Sequence, residues 1–302
     1  MMRYTTLLCA TAIAAISAFS ASAQTPAQAP VSPTKPMSNP PRTTGGRPDL
    51  QGTWNNTSVT RLERPENVSK LVLTEEEAER YEQGSNWVVN ARTQNAEKVD
   101  TNAAPPKGKA SNFNLLGYNS FWLDAGNHLA RVKGEVRTSW ITEPASGKVP
   151  AKPNANVPFK GFGTFDTYET RPLSERCILF GRQAGPIMQN AIYNNNFQFV
   201  QTPDTVMILV EMVHEPRIIP IFASKQDVKY RPSVIKPWFG DSVGWYEGDT
   251  LVVETKNVNP NQLQAMISPT GKLTERFSRW SEDQILYEFQ VDVPAFYTQS
   301  WK

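Results

Sequence analysis

With 302 residues, 39% of them hydrophobic, the chain is long enough to bury a large apolar core without staples. Its 31 Lys and Arg stand against 29 Asp and Glu, a net charge of +2 with no basic cluster, which argues against nucleic acid as a partner. Two histidines and two cysteines, without H-x-x-x-H or C-x-x-C spacing, leave no evident metal set, and no cofactor motif is present.

At the start of the chain, Arg3 precedes an apolar run over 7–19 and the triplet Ala21-Ser22-Ala23, the pattern of a secretory signal cleaved after Ala23. The run falls short of the ~20 residues of a membrane span, and Leu8 precedes Cys9 where a lipoprotein signal takes a small residue. The expected protein is periplasmic or secreted, with no integral membrane segment after cleavage. Cys177 is then its single cysteine, read as a small buried hydrophobe with a catalytic thiolate as the alternative. Residues 24–48 are rich in proline and lack apolar periodicity, which predicts a disordered leader. Residues 49–302 follow as a single β-rich domain.

One helix has a full signature: in "LVLTEEEAERYEQG", Thr74 is the N-cap, Glu77 completes a capping box and Gly84 ends the helix. The segments "DLQGTWNN", "YNSFWLD" and "RTSWITE" are rich in aromatic and β-branched residues and predict strands. Two long irregular stretches, 100–112 and 144–165, separate them. In the second half, "FQFVQT", "TVMILVEMVH" and "RIIPIFA" predict a three-strand meander. "GWYE" with "TLVVETK", and "LTERFSRW" with "QILYEFQVD", predict two hairpins. The last strand alternates, with Ile285, Tyr287, Phe289 and Val291 on one face. Strands without helical crossovers predict a mainly β fold, an antiparallel meander closing into a barrel or a sandwich, with one short N-terminal helix and long loops.

The string Gly240 to Gly244, "GDSVG", fits the G-x-S-x-G pattern of serine hydrolases, but a hairpin follows it and both histidines lie upstream, so no nucleophile elbow is expected at Ser242. The five residues read instead as a turn. Glu211 interrupts the apolar run "VMILVEMV", where a carboxylate requires either a partner, with Arg176, Arg217 and Arg276 as candidates, or a polar cavity. In the cavity case Glu211, with His214 or Asp241, would serve as acid and base. Tyr193, Asn194 and Asn196 of "YNNN" offer polar groups at a barrel rim, or simply cap a turn. Arg217, Trp245 and Tyr287 complete the candidate ligand-binding set, although core packing is the alternative for the aromatics.

The segments "PDLQGTW", "RPLSERC", "YNNN", "EGDTLVVET" and "LYEFQVDVP" resemble an uncharacterised family of exported bacterial proteins, and the likeness spans most of the mature chain. It implies export and no particular activity. The pair Gly52-x-Trp54 also resembles the start of lipocalin-type (calycin) barrels, which implies a tryptophan plugging the barrel floor. The function expected is binding or carriage of a small apolar or aromatic molecule. The alternatives are a cofactor-independent hydrolase, lyase or isomerase using Glu211, and a structural or envelope-interaction module. Neither ligand nor oligomeric state is specified by the sequence.

Overall fold

The computed structural model describes residues 32–85, 88, 126–153, 167–171, 173–179, 185, 187–260, 262 and 266–302. The export signal, the strand expected over 118–124 and the stretch 100–112 lie outside them.

Segments that alternate apolar and polar residues pair into antiparallel ladders. One sheet has the order β1 (Gly52–Asn55), β5 (Asn196–Gln201), β6 (Thr205–Val210) and β7 (Pro216–Pro220). A second has the order β11 (Ile285–Asp292), β10 (Lys272–Arg279), β9 (Thr250–Lys256) and β8 (Asp241–Glu247). A small third sheet joins β2 (Val72–Leu73), β4 (Glu135–Arg137) and β3 (Arg131–Val132). The fold is therefore mainly β.

The inward faces of the two large sheets share one core, to which Phe197, Phe199, Ile208 and Ile219 contribute from one sheet and Leu251 and Phe277 from the other. Phe199 meets Phe277 edge-on with ring centroids 5.5 Å apart. Such face-to-face packing is compatible with a sandwich. The barrel closure expected from the sequence is not found: among the described residues no ladder joins β1 to β11. The sheets do touch at their other margin, where Phe222 N donates to Gly244 O at 2.8 Å and Ile221 bridges Gly244. A Cβ at Gly244 would lie 2.8 Å from Ile221 Cδ1 and 3.3 Å from Ile219 Cγ2, so a larger residue there would require these side chains to shift.

The helix α1 (Glu75–Gln83) forms as its capping box predicts: Glu77 N donates to Thr74 Oγ1 at 3.2 Å and Thr74 N to Glu77 Oε2 at 3.0 Å. Its buried positions are Ala78 and Glu82, one turn apart on one face.

Several local expectations are corrected. "RTSWITE" is not a strand: the ladder stops at Arg137, and beyond it only an isolated bridge pairs Ser139 with Arg61. "GDSVG" is a turn only at Gly240, whose φ is +75°; Asp241 already begins β8. Cys177 is exposed and has φ 53°, so it is not a buried hydrophobe. Within the proline-rich stretch, Met37 N donates to Trp280 O at 2.9 Å, and Trp280 Nε1 donates to Pro33 O at 2.7 Å. No helix among the described residues is long and apolar enough to cross a membrane.

Candidate functional site

The margin where β1 and β11 remain unpaired coincides with a cleft of about 1340 Å³. Alternation places the aromatic and apolar residues of four strands on its wall: Trp54 from β1, Phe197 and Phe199 from β5, Phe277 from β10, and Ile285 and Tyr287 from β11. Phe277 and Tyr287 lie 5.1 Å apart, and Tyr287 and Phe289 5.9 Å, so the β11 wall is a continuous aromatic strip. Trp54 donates from Nε1 to Leu50 O at 2.9 Å and lies under the Arg279 guanidinium, 4.6 Å from its ring centroid. The lining also includes polar residues, among them Asn55, Thr57, Ser58 and His128.

Behind the aromatic strip lies a buried ion pair. Arg217 on β7 and Glu275 on β10 face each other across the core, with side chains 1% and 0% exposed. Arg217 Nη1 donates to Glu275 Oε1 at 3.1 Å and Nη2 to Oε2 at 2.5 Å. Burial works against the Arg217 charge, but Glu275 more than compensates and its pKa is raised. Ser242 and Thr255, hydrogen-bonded to each other at 2.8 Å, approach Arg217 Nη2 at 3.5 Å. Tyr287 links this pair to the cleft: its hydroxyl donates to Glu275 Oε1 at 2.8 Å and accepts from Met188 N at 3.3 Å. Burial and the adjacent Glu275 charge push the phenol pKa well above its ordinary value, so Tyr287 stays a neutral donor.

Next to His128, Leu129 and Arg131 of the cleft lining, Glu82 of α1 is buried and is bound by groups of all three residues. Leu129 N donates to its Oε1 at 2.7 Å, His128 Nδ1 lies 3.0 Å from Oε2, and Arg131 Nη1 donates at 3.4 Å. Burial acts to raise the Glu82 pKa, but these three groups outweigh it and the value is lowered. A carboxylate with a depressed folded pKa stabilises the fold above its unfolded value, about 4.3, and that contribution is lost as pH falls through the folded value. Unfolding midpoints measured between about pH 6 and pH 3 should therefore fall more steeply in the parent than in Glu82→Gln. Parallel pH profiles would show that Glu82 does not carry the effect.

The sequence-derived candidates divide among three places. Arg217 and Tyr287 belong to the buried cluster, and Tyr287 also lines the cleft. Asp241 and Trp245 lie on the other face of β8: Asp241 Oδ2 accepts from Arg231 N at 2.5 Å, and Trp245 Nε1 donates to Glu247 Oε1 at 2.9 Å beneath Lys225. Tyr193, Asn194 and Asn196 gather with Glu211 near the β5–β6 end. Tyr193 packs on the core, and Asn194 has φ 56° and approaches Met212 Sδ at 3.8 Å. Glu211 is not inside a strand: β6 ends at Val210 and Glu211 sits on an exposed bend, accepting from Asn196 N at 3.2 Å and Asn196 Nδ2 at 2.9 Å. None of the three expected arginines pairs with it, since Arg217 binds Glu275, Arg276 binds Glu247 at 2.7 Å and Arg176 lies over Tyr168. His214 closes the short 3₁₀ turn Met212–His214, and its side chain lies outside the described ones. Ser242 is buried in strand ladder beside Thr255, with none of the surroundings of a nucleophile elbow.

Sequence reasoning missed Glu275, Glu82 and His128. Leu273, Glu275 and Phe277 alternate on one face of β10, so a period-2 reading of "LTERF" would have placed a carboxylate in the core. Similarly, Ala78 and Glu82 share one helical face.

No protein-family model, curated protein or solved structure matches this chain.

Proposed function

We propose that the protein binds or carries a small apolar or aromatic molecule in the cleft between β1 and β11. The observation that supports this most directly is a cleft lining that joins the aromatic residues Trp54, Phe199, Phe277 and Tyr287 to polar ones such as Asn55, Thr57 and Ser58. Such a site takes a flat apolar body against the rings and orients a polar end against the amides and hydroxyls. At the back of the cleft the Tyr287 hydroxyl is held by Glu275 and the Glu275 carboxylate by both Arg217 Nη groups, while Arg217 Nε has no partner among the described residues. This favours binding over an acid–base enzyme built on Glu211, which does not line the cleft. In this reading the two large sheets form an incomplete lipocalin-like barrel, continuous across the Ile221–Gly244 bridge, with the unpaired β1–β11 seam as the mouth.

The test uses N-phenylnaphthylamine, a neutral aromatic probe whose emission rises in apolar surroundings. Saturable binding with a dissociation constant on the order of micromolar is expected. Trp54→Ala and Ile285→Asp should each weaken it about tenfold, the equivalent of one apolar contact. Absence of saturation, or equal affinity in the parent and both variants, would remove the cleft as the binding site.

A further inference from the structure

The segment between β7 and β8 carries a surface that the cleft does not explain. Val234 is 83% exposed and Ile235 47%, side by side at the tip of this segment. Around them Lys225, Lys229, Arg231 and Lys236 are exposed, with Asp227 as the one acid between 225 and 236. Arg231 Nε lies 3.7 Å from Asp241 Oδ1, whereas Lys229 and Lys236 have no acidic partner among the described residues.

This tip is held in place. Asn257 Nδ2 donates to Ile235 O at 2.6 Å, and Asn259 Nδ2 to Lys236 O at 3.2 Å. Ile235 N closes a turn on Pro232 O at 2.9 Å. On either side, the Tyr230 hydroxyl donates to Glu254 Oε1 at 2.5 Å, and Trp238 and Phe239 turn inward onto the main core. Two adjacent branched apolar side chains are thus exposed on an anchored segment that also carries exposed Lys229 and Lys236.

We infer that this tip docks on an anionic phospholipid surface. Val234 and Ile235 lie outside the lining of the cleft, and two exposed apolar side chains beside lysines without acidic partners among the described residues complement the apolar and anionic layers of a headgroup surface. Val234 and Ile235 reach the acyl boundary, while the ammonium groups of Lys229 and Lys236 meet lipid phosphates. Apolar insertion and charge attraction then act together, and neither alone gives stable attachment. The surface is independent of what the cleft holds.

Flotation of the full chain with vesicles tests the inference, comparing phosphatidylcholine alone with phosphatidylcholine containing about one third phosphatidylglycerol. Any contribution of the apolar run 7–19 is common to the parent and the variants. Partition onto anionic vesicles should exceed that onto neutral ones at least about tenfold and fall steeply as salt approaches roughly 0.5 M. V234D/I235D and, separately, K229E/K236E should each abolish this preference while leaving the unfolding midpoint and the binding of N-phenylnaphthylamine unchanged. Equal partition onto both vesicle types, or a preference retained by either double variant, would overturn it. Binding to polyglutamate without binding to vesicles would assign the surface to an acidic protein and also overturn it.

Discussion

Glu275→Leu should lower the free energy of unfolding by about 3–5 kcal/mol, a large fraction of the ~5–15 kcal/mol that holds a domain folded. The cost does not come from losing an attraction. With side chains 1% and 0% exposed, Arg217 and Glu275 have already given up their hydration, and the pair itself roughly breaks even against a hydrophobic replacement of the same volume. Removing Glu275 alone leaves the Arg217 guanidinium buried with, among the side chains of the described residues, the hydroxyls of Ser242 and Thr255 at 3.5 Å as its remaining hydrogen-bonding neighbours, and it also strips Tyr287 of its acceptor. The double variant R217M/E275L should therefore recover most of the loss, because no buried charge remains. Its cleft should still bind the aromatic probe within a few-fold of the parent, since the Tyr287 ring stays held by Phe277 and Phe289. Urea denaturation of the parent, single and double variants decides the matter. A single variant within about 1 kcal/mol of the parent, or a double variant no better than the single, would show that the pair is not desolvated as described.

Much of the second half of the fold was legible because β6, β7 and β10 bury one face, so period-2 alternation marks both their existence and their orientation, whereas β8 and β9 are buried on both faces and are marked by the turn between them. Ile285, Tyr287, Phe289 and Val291 were placed on one face from sequence, and all four contact the two main cores. The helix was legible because a capping box is local, needing only Thr74 and Glu77. What was misread depended on where a partner strand ends. The run "VMILVEMV" continues as apolar past Val210, but its last rung is Phe197 with Val210, and Val213 then takes φ 62°. Composition cannot reveal that boundary, so Glu211 was placed in a strand interior when it caps an exposed bend. The ion pair expected at Glu211 is absent; a buried pair exists instead between Arg217 and Glu275, 58 positions apart. Each partner carries a local mark, a charge on the apolar face of an alternating strand, while their pairing is a property of how two sheets stack. The cleft likewise arises from two strands that fail to meet, and no short segment encodes it.

Trp301→Ala should be comparably severe, about 3–5 kcal/mol, which for a domain of this size corresponds to a midpoint lower by roughly 10 °C. Trp301 is fully buried, stacks edge-on against Phe289 at 5.7 Å and Tyr297 at 5.6 Å, and sits on the outer margin of β11. There Val291 N donates to Trp301 O at 2.8 Å and Trp301 N to Val291 O at 3.1 Å, so the residue covers part of the strand margin that β1 leaves unpaired. Alanine keeps those backbone bonds and removes the ring, so the loss measured is that of cavity and contact rather than of pairing. Trp301→Phe separates the two remaining contributions. The indole Nε1 is buried without a hydrogen-bond partner among the described residues, and phenylalanine removes that donor while keeping most of the ring, so its penalty should stay below about 1.5 kcal/mol. Phe289 and Lys302 both line the cleft, so the alanine variant should also weaken probe binding, whereas the phenylalanine variant should not. Thermal and urea unfolding of the two variants check the order: if Trp301→Phe proves as damaging as Trp301→Ala, the indole nitrogen has a partner that matters and the residue does more than fill space.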